Sequence, residues 1–486
     1  MGKHVGIILL GLGPGNPKQV TREAWAVLNE ADEVYLRTNR HPVVASLPAT
    51  LTVHSFDDLY EKTSNFDDVY AQIVEQVMEL AKRPQGVVYA VPGHPFVAEA
   101  TSREIATRAK DLQIPVKLVQ GLSFVEPALA ALELDLLPQT TIVDALDLLT
   151  QHHPLFPPSA PALVAQLYSQ QVAAEVKLTL MAAYPDDHSV HLIHAAGTSG
   201  ELVESVPLHA MDRSPKIGVL TALYVPAISP HSSFEELQEL IAHLRSPEGC
   251  PWDREQTHLA LRRNLLEETY GVLAALDSED VGDMQEEFGD LLIQIVLHAQ
   301  IAAEAGEFTM SDVIRGVYTK LIDRHPHVFG DLELGDAEAV IDNWEHLKAE
   351  EREAKGDTGR GLLDGVANAL PALTQAESYG SRAARVGFEW PNIAGVLEKI
   401  DEEIVELCQA KEPTERRSEF GDLLFALVNL ARWLDLDPEV ALREANARFK
   451  NRFAYVESSA VQQGKSLKEM SLEEMEALWQ HSKSNQ

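Results

Sequence analysis

Cysteine is almost absent from this 486-residue chain: only Cys250 and Cys408 occur, far apart. Two isolated thiols make neither a disulfide framework nor a cysteine metal site, which suits a reducing compartment. Positive charge is also scarce, with 40 Lys and Arg against 75 Asp and Glu, a net charge of −35. Such a surface repels nucleic-acid phosphates and anionic membranes, so neither is expected as a partner. No apolar run reaches the roughly 18 residues that cross a bilayer, and residues 1–10 lack a basic start leading into a long apolar core. A cytoplasmic location is the expectation.

What is present points to several globular domains. The chain is too long for one ordinary core, and 45% hydrophobic with 24% charged residues is usual for a soluble protein. The first ~225 residues alternate β-type runs with helical stretches, the mark of an α/β layer structure. Strands are expected at 5–10, 87–91, 116–119, 162–167, 177–182 and 189–195. Thr21 should cap a helix to about Glu30, and another should follow Pro92-Gly-His-Pro95 to about Lys110. A Pro- and Ser-rich stretch then reads as a linker. Beyond it strand-like runs vanish, and helical periodicity covers 259–276, 281–304, 396–410, 416–434 and 438–456. The division expected is an α/β domain over 1–226, a linker at 227–233, an all-α unit at 234–354, a second linker at 355–365, and a second all-α unit at 366–486, both packed as helical bundles.

The all-α half repeats itself. L-L-E-E-T-Y-G-V-L-A-A-L from Leu265 resembles I-D-E-E-I-V-E-L-C-Q-A from Ile400, and E-E-F-G-D-L-L from Glu286 resembles S-E-F-G-D-L-L from Ser418. Glu267 and Glu268 thus map onto Glu402 and Glu403, and Glu287 and Asp290 onto Glu419 and Asp422. In the second copy Glu402 and Glu406 share a helix face, with Glu403 about 100° around; Glu419 and Asp422 project from one side of the next helix. Leu423, Leu424 and Leu427 beside them should continue the core. Acids bordering an apolar stripe point into a groove, where they repel one another unless a cation intervenes. Oxygen-only ligands suit Mg²⁺, with Mn²⁺ as an alternative, and Mg²⁺ commonly brings phosphate. His325 and His327 are separated by Pro326 and lack a third ligand, so they read as a turn or as helix-end packing.

With E-E-x-x-E followed by E-x-x-D, and with Gly249-C-P-W-D253, Arg324-H-P-H-V-F329, Val386-G-F-E-W390 and G-D-L-L-F-A-L-V-N-L-A-R, the region from Phe234 onward resembles the MazG nucleoside triphosphate pyrophosphohydrolases. The resemblance implies hydrolysis of an NTP to NMP and pyrophosphate by water activated at the metal, in a homodimer of helical bundles. By motif, Glu402, Glu403, Glu406, Glu419 and Asp422 are the Mg²⁺ ligands or bases. Asn446, Arg448 and Arg452 would meet the triphosphate, and Trp479 would approach the base; Arg448 stands where similar proteins more often have Lys. The first copy (Glu267, Glu268, Glu287, Asp290) has Gly271 where the second has Glu406. It is therefore expected to be catalytically weak or structural.

Gly11-x-Gly-x-Gly15 lacks both the G-x-G-x-x-G spacing and a Walker Lys-Ser/Thr. Taken with Asn16-Pro-Lys, Thr21, Ala31-Asp-Glu33, V-P-G-H-P-F and V-Q-G-L-S-F, it resembles the tetrapyrrole (corrin and porphyrin) methyltransferases over residues 1–226. That resemblance implies S-adenosylmethionine (SAM) near Gly93, His94, Val97, Ser123 and Phe124. Where the family commonly has G-D-P this chain has Gly93-His94-Pro95, which alters the charge there. Three readings follow: an Mg²⁺-dependent NTP pyrophosphohydrolase, serving nucleotide-pool house-cleaning; a SAM-dependent methyltransferase with an accessory helical part; or a protein that binds nucleotide or tetrapyrrole without turnover.

Overall fold

The computed structural model describes residues 6–62, 66–354 and 361–484. Of the stretch expected as a second linker, 355–360 lie outside the described residues, and 362–365 form turns.

The amino-terminal part holds two five-stranded sheets. The first is parallel, in the order β3-β2-β4-β1-β5, from β1 (Ile7–Gly11), β2 (Glu33–Leu36), β3 (Thr52–Ser55), β4 (Val87–Val91) and β5 (Val116–Val119). Helices cover both of its faces, so β1 and β4 are continuous apolar runs. Ile7, Leu9 and Tyr89 enter one core while Leu10 and Ala90 enter the other. Thr21 caps the helix Arg22–Glu30 as expected, accepting the Ala24 N–H at 3.2 Å. β1 connects leftward to β2 across β4, whereas β4 connects to β5 across β1. That reversal opens a crevice at the carboxyl ends of β1 and β4.

The second sheet is mixed, in the order β6-β7-β10-β8-β9, from β6 (Thr141–Asp144), β7 (Ala162–Ala165), β8 (Ser189–His194), β9 (Leu202–Pro207) and β10 (Thr221–Val225). One expected strand is corrected. Residues 177–181 belong to the helix Gln170–Met181, capped by Ser169 at its start and by Ala182 at its end. Val172, Val176 and Leu180 recur at helical spacing and are all buried in the second core, so the period of four outweighs the local β-type composition.

The chain divides into two compact units after Glu255, beyond the linker expected at 227–233. The Ile228 N–H bonds the Pro158 carbonyl at 3.0 Å, and its side chain packs on the second core. The helices Phe234–Arg245 and Pro251–Glu255 follow within this unit, the first started by a Ser233–Glu236 capping box.

The second unit is helical throughout its described secondary structure. Arg262–Ser278 packs on Val281–Ala305, and, a repeat later, Ile393–Gln409 packs on Pro413–Trp433. Ala372–Arg385 and Pro438–Gln462 pack against the second pair, and Leu472–Ser484 packs on Pro438–Gln462. Arg443 pairs with Asp277 at 3.0 Å, tying the two copies together.

Candidate functional site

In the second copy Asn392 caps Ile393–Gln409, accepting the Ala394 N–H at 3.0 Å. Val396 and Glu403, two turns apart, then lie on its buried face. Glu403 is only 4% exposed. The three-residue connection to Pro413–Trp433 folds the next helix back against it. One carboxylate oxygen each from Glu403, Glu406 and Glu419 consequently lie within 4.8 Å of one another. Partial burial and then Glu406, Glu403 and Asp422 push the Glu419 carboxyl above its ordinary range. Asp422 therefore adds its field from the next turn.

The Glu403 carboxylate is divided in its contacts. Its Oε1 lies 2.8 Å from Lys399 Nζ, whereas Oε2 is buried without a hydrogen-bond partner. An orphaned buried carboxylate oxygen is costly, and a hard cation among three acid oxygens would satisfy it, so this donor set fits Mg²⁺ or Mn²⁺. Glu402, expected in the same set, lies outside the three-oxygen group: it is exposed and held by Lys399 at 2.9 Å.

The first copy assembles Glu268, Glu287 and Asp290 likewise within 4.8 Å. Glu267 is exposed and lies 4.0 Å from Arg263. A Cβ at Gly271 would overlap the Glu287 carboxylate, so Glu287 fills the space that a third helix side chain would take. All three acids are half-buried, and none has an orphaned buried oxygen among the described residues.

Of the residues expected at the triphosphate, Asn446 and Arg448 are exposed, and Arg448 is paired to Glu444 at 3.2 Å. Arg452 has a buried, unpartnered Nε, and its guanidinium lies 6.0 Å from the Trp479 ring centre. Trp479 meets Phe449 at 5.1 Å, which stacks on Phe453 at 6.1 Å. His325 begins the short helix Pro326–Phe329, with Nδ1 2.6 Å from the Leu321 carbonyl and its ring edge-on to Trp344.

The crevice of the parallel sheet widens into a cavity of about 510 Å³. Gly13 and Gly93 bridge there through paired backbone hydrogen bonds of 2.8 and 3.2 Å. Gly93 has φ +67°, and a Cβ on Gly11 or Gly121 would strike its carbonyl, so only glycines let these strand ends approach. Gly93, Val97 and Phe124 line the cavity as expected; His94 and Ser123 do not. Ser123 is spent locally, donating to Glu126 at 2.6 Å, and His94 Nδ1 accepts the Phe96 N–H at 3.1 Å. The backbone cradle and apolar walls fit SAM, with those two residues outside the contact surface.

Sequence reasoning missed the polar wall. Arg37 donates to Glu99, to Tyr60 at 3.1 Å and to Tyr70 at 3.2 Å. Burial opposes its charge, but Glu99 and the tyrosines outweigh that and hold the guanidinium protonated. His41 is 5% exposed, and neither ring nitrogen makes a well-formed hydrogen bond. Burial pushes its imidazole down to about 4, opposed weakly by the Gly13 backbone.

The family profile of the Tetrapyrrole (Corrin/Porphyrin) Methylases matches residues 6–212, and that of the MazG nucleotide pyrophosphohydrolase domain matches 256–329. The chain is 41% identical to the protein named uncharacterized protein YabN of Bacillus subtilis (strain 168), over 98% of both chains. It is 46% identical to the nucleoside triphosphate pyrophosphohydrolase/pyrophosphatase MazG of Thermotoga maritima, covering 95% of that protein and 51% of this chain. It is 41% identical to the nucleoside triphosphate pyrophosphohydrolase of Escherichia coli (strain K12), covering 97% of that protein and 52% of this chain.

Proposed function

Because the chain belongs to the family in which a tetrapyrrole-methylase domain precedes MazG-type nucleoside triphosphate pyrophosphohydrolase units, we propose that its second helical copy hydrolyses NTPs to NMP and pyrophosphate with Mg²⁺. One observation carries this reading: the orphaned Oε2 of buried Glu403, in a carboxylate that shares a 4.8 Å cluster with Glu406 and Glu419. These three would hold the cation, with Asp422 and Glu402 at the margin. Bound there, it would screen the triphosphate and activate water for attack on the α-phosphorus. Water adds to that phosphorus as the α–β anhydride bond breaks, and the proton released passes to an exposed carboxylate, Glu406 or Asp422. Arg452, with Asn446 and with Arg448 once freed from Glu444, would meet the phosphates. Trp479 offers an aromatic face to the base.

Damaged or non-standard nucleotides are the proposed physiological substrates. A homodimer through the helical units, and a cytoplasmic site of action, belong to the same reading. Leu424 and Leu427, expected in the core, remain 40% and 43% exposed, beside Phe420 and Phe425. These apolar faces want a partner helix surface. Among the described residues no helix is long and apolar enough to cross a membrane. A division into an α/β part and two helical units belongs to the same reading, with the first boundary moved to follow Glu255 and the first helical unit structural or weakly active.

A second reading concerns the amino-terminal cavity, whose glycine cradle and apolar walls favour SAM. Methyl transfer to a tetrapyrrole, or binding without transfer, would be its use. Purified protein incubated with each NTP and Mg²⁺ tests the main reading by its products. Pyrophosphate with NMP is expected; orthophosphate, or no cleavage, overturns it.

A further inference from the structure

We propose that Lys399 is a positioning residue of the second-copy site, pinning one oxygen of Glu403 so that the other is presented to the bound cation. This rests on the metal-centre reading above. Lys399 lies one helical turn before the two glutamates, and its Nζ reaches Glu402 Oε1 at 2.9 Å and Glu403 Oε1 at 2.8 Å. The Glu403 side chain is 5% exposed while that of Lys399 is 37% exposed. The ammonium thus reaches the carboxylate from the solvent side and leaves Oε2 in the interior without a partner. A carboxylate rotates freely about its last bond unless one oxygen is tethered. With Oε1 held, the orientation of Oε2 is set before any cation arrives.

The charge arithmetic agrees. Glu403, Glu406 and Glu419 crowd this groove with Glu402 exposed beside them, and one ammonium shared between Glu402 and Glu403 relieves part of the repulsion. At the equivalent place the first copy has Asn264, and the adjacent Arg263 reaches only as far as 4.0 Å from Glu267. Among the described residues first-copy Glu268 has no such tether, which distinguishes the two copies independently of Gly271.

An opposing effect exists, since a nearby ammonium repels a divalent cation. Lys399 sits behind the carboxylate and is partly solvated, where Coulomb repulsion is heavily screened. Partners that orient metal ligands from behind are typically worth about 10- to 100-fold in metal affinity or activity. Orientation therefore wins.

The experiment uses the full-length chain carrying Glu268→Gln, so that the second copy reports alone. Mn²⁺ binding is followed by electron paramagnetic resonance, and pyrophosphate release is measured across Mn²⁺ concentrations. Lys399→Met and Lys399→Gln should each weaken Mn²⁺ binding by about 10-fold or more. Lys399→Arg should stay within a few-fold, and turnover in Lys399→Met should recover at saturating Mn²⁺. Binding as tight as in the parent, or tighter, in both Met and Gln variants overturns the role of Lys399. Failure of the Glu268→Gln parent itself to bind Mn²⁺ overturns the metal-centre reading instead.

Discussion

Glu403 and His41 are both buried polar residues, but their sequence contexts differ in what they disclose. Glu403 shares a helix with Glu402 and Glu406, and Glu419 and Asp422 lie three apart on the next, so its neighbours could be inferred from helical geometry. Glu402 falls outside the three-oxygen group because spacing gives a direction around the helix but not which cation lies nearest; Lys399 pairs with that side chain at 2.9 Å. His41 and the Arg37–Glu99 pair left no such trace. Arg37 and Glu99 are 62 residues apart, joined only when β2 and β4 become neighbours in the sheet. His41 carries its own test. Its folded value of about 4 lies below the ordinary 6.5, so as pH falls the unfolded chain takes the proton first. Stability is lost between about pH 6.5 and 4, by about 3 kcal/mol in all. Urea unfolding at pH 7 and pH 4.5 should show this loss in the parent chain and a smaller one in His41→Phe.

At the scale of elements, long amphipathic helices were the most legible features. The helices expected at 281–304 and 396–410 appear as Val281–Ala305 and Ile393–Gln409. The paired repeat was legible because E-F-G-D-L-L leads into an apolar helical run in both copies. The short strands β2 and β3 were not: they have four residues each, and the first three residues of β3, at the sheet edge, are all exposed. The core assignment of Leu424 and Leu427 failed for a different reason. A periodic apolar stripe says that a face is covered, not by which chain. If a second copy covers it, Leu427→Glu should leave the monomer folded and abolish self-association. Analytical ultracentrifugation should show the parent as a dimer and the variant as a monomer; a monomeric parent contradicts the dimer.

At the scale of the whole molecule, the glycine-lined cavity belongs to one compact unit and the two carboxylate clusters to the other. The repeat makes the assignment of turnover a choice between copies. The MazG profile covers 256–329, the first copy, and both copies gather three acids within 4.8 Å. Geometry separates them: the second buries Glu403 with an unsatisfied oxygen and a lysine tether, whereas the first fills the space over Gly271 with Glu287. The decisive measurement is pyrophosphate release from NTP and Mg²⁺ by two full-length variants, Glu403→Gln and Glu268→Gln. Glu403→Gln should fall by more than about 100-fold, with Glu268→Gln staying within a few-fold of the parent. Unchanged release from Glu403→Gln, with loss in Glu268→Gln, would place turnover in the first copy and contradict the account.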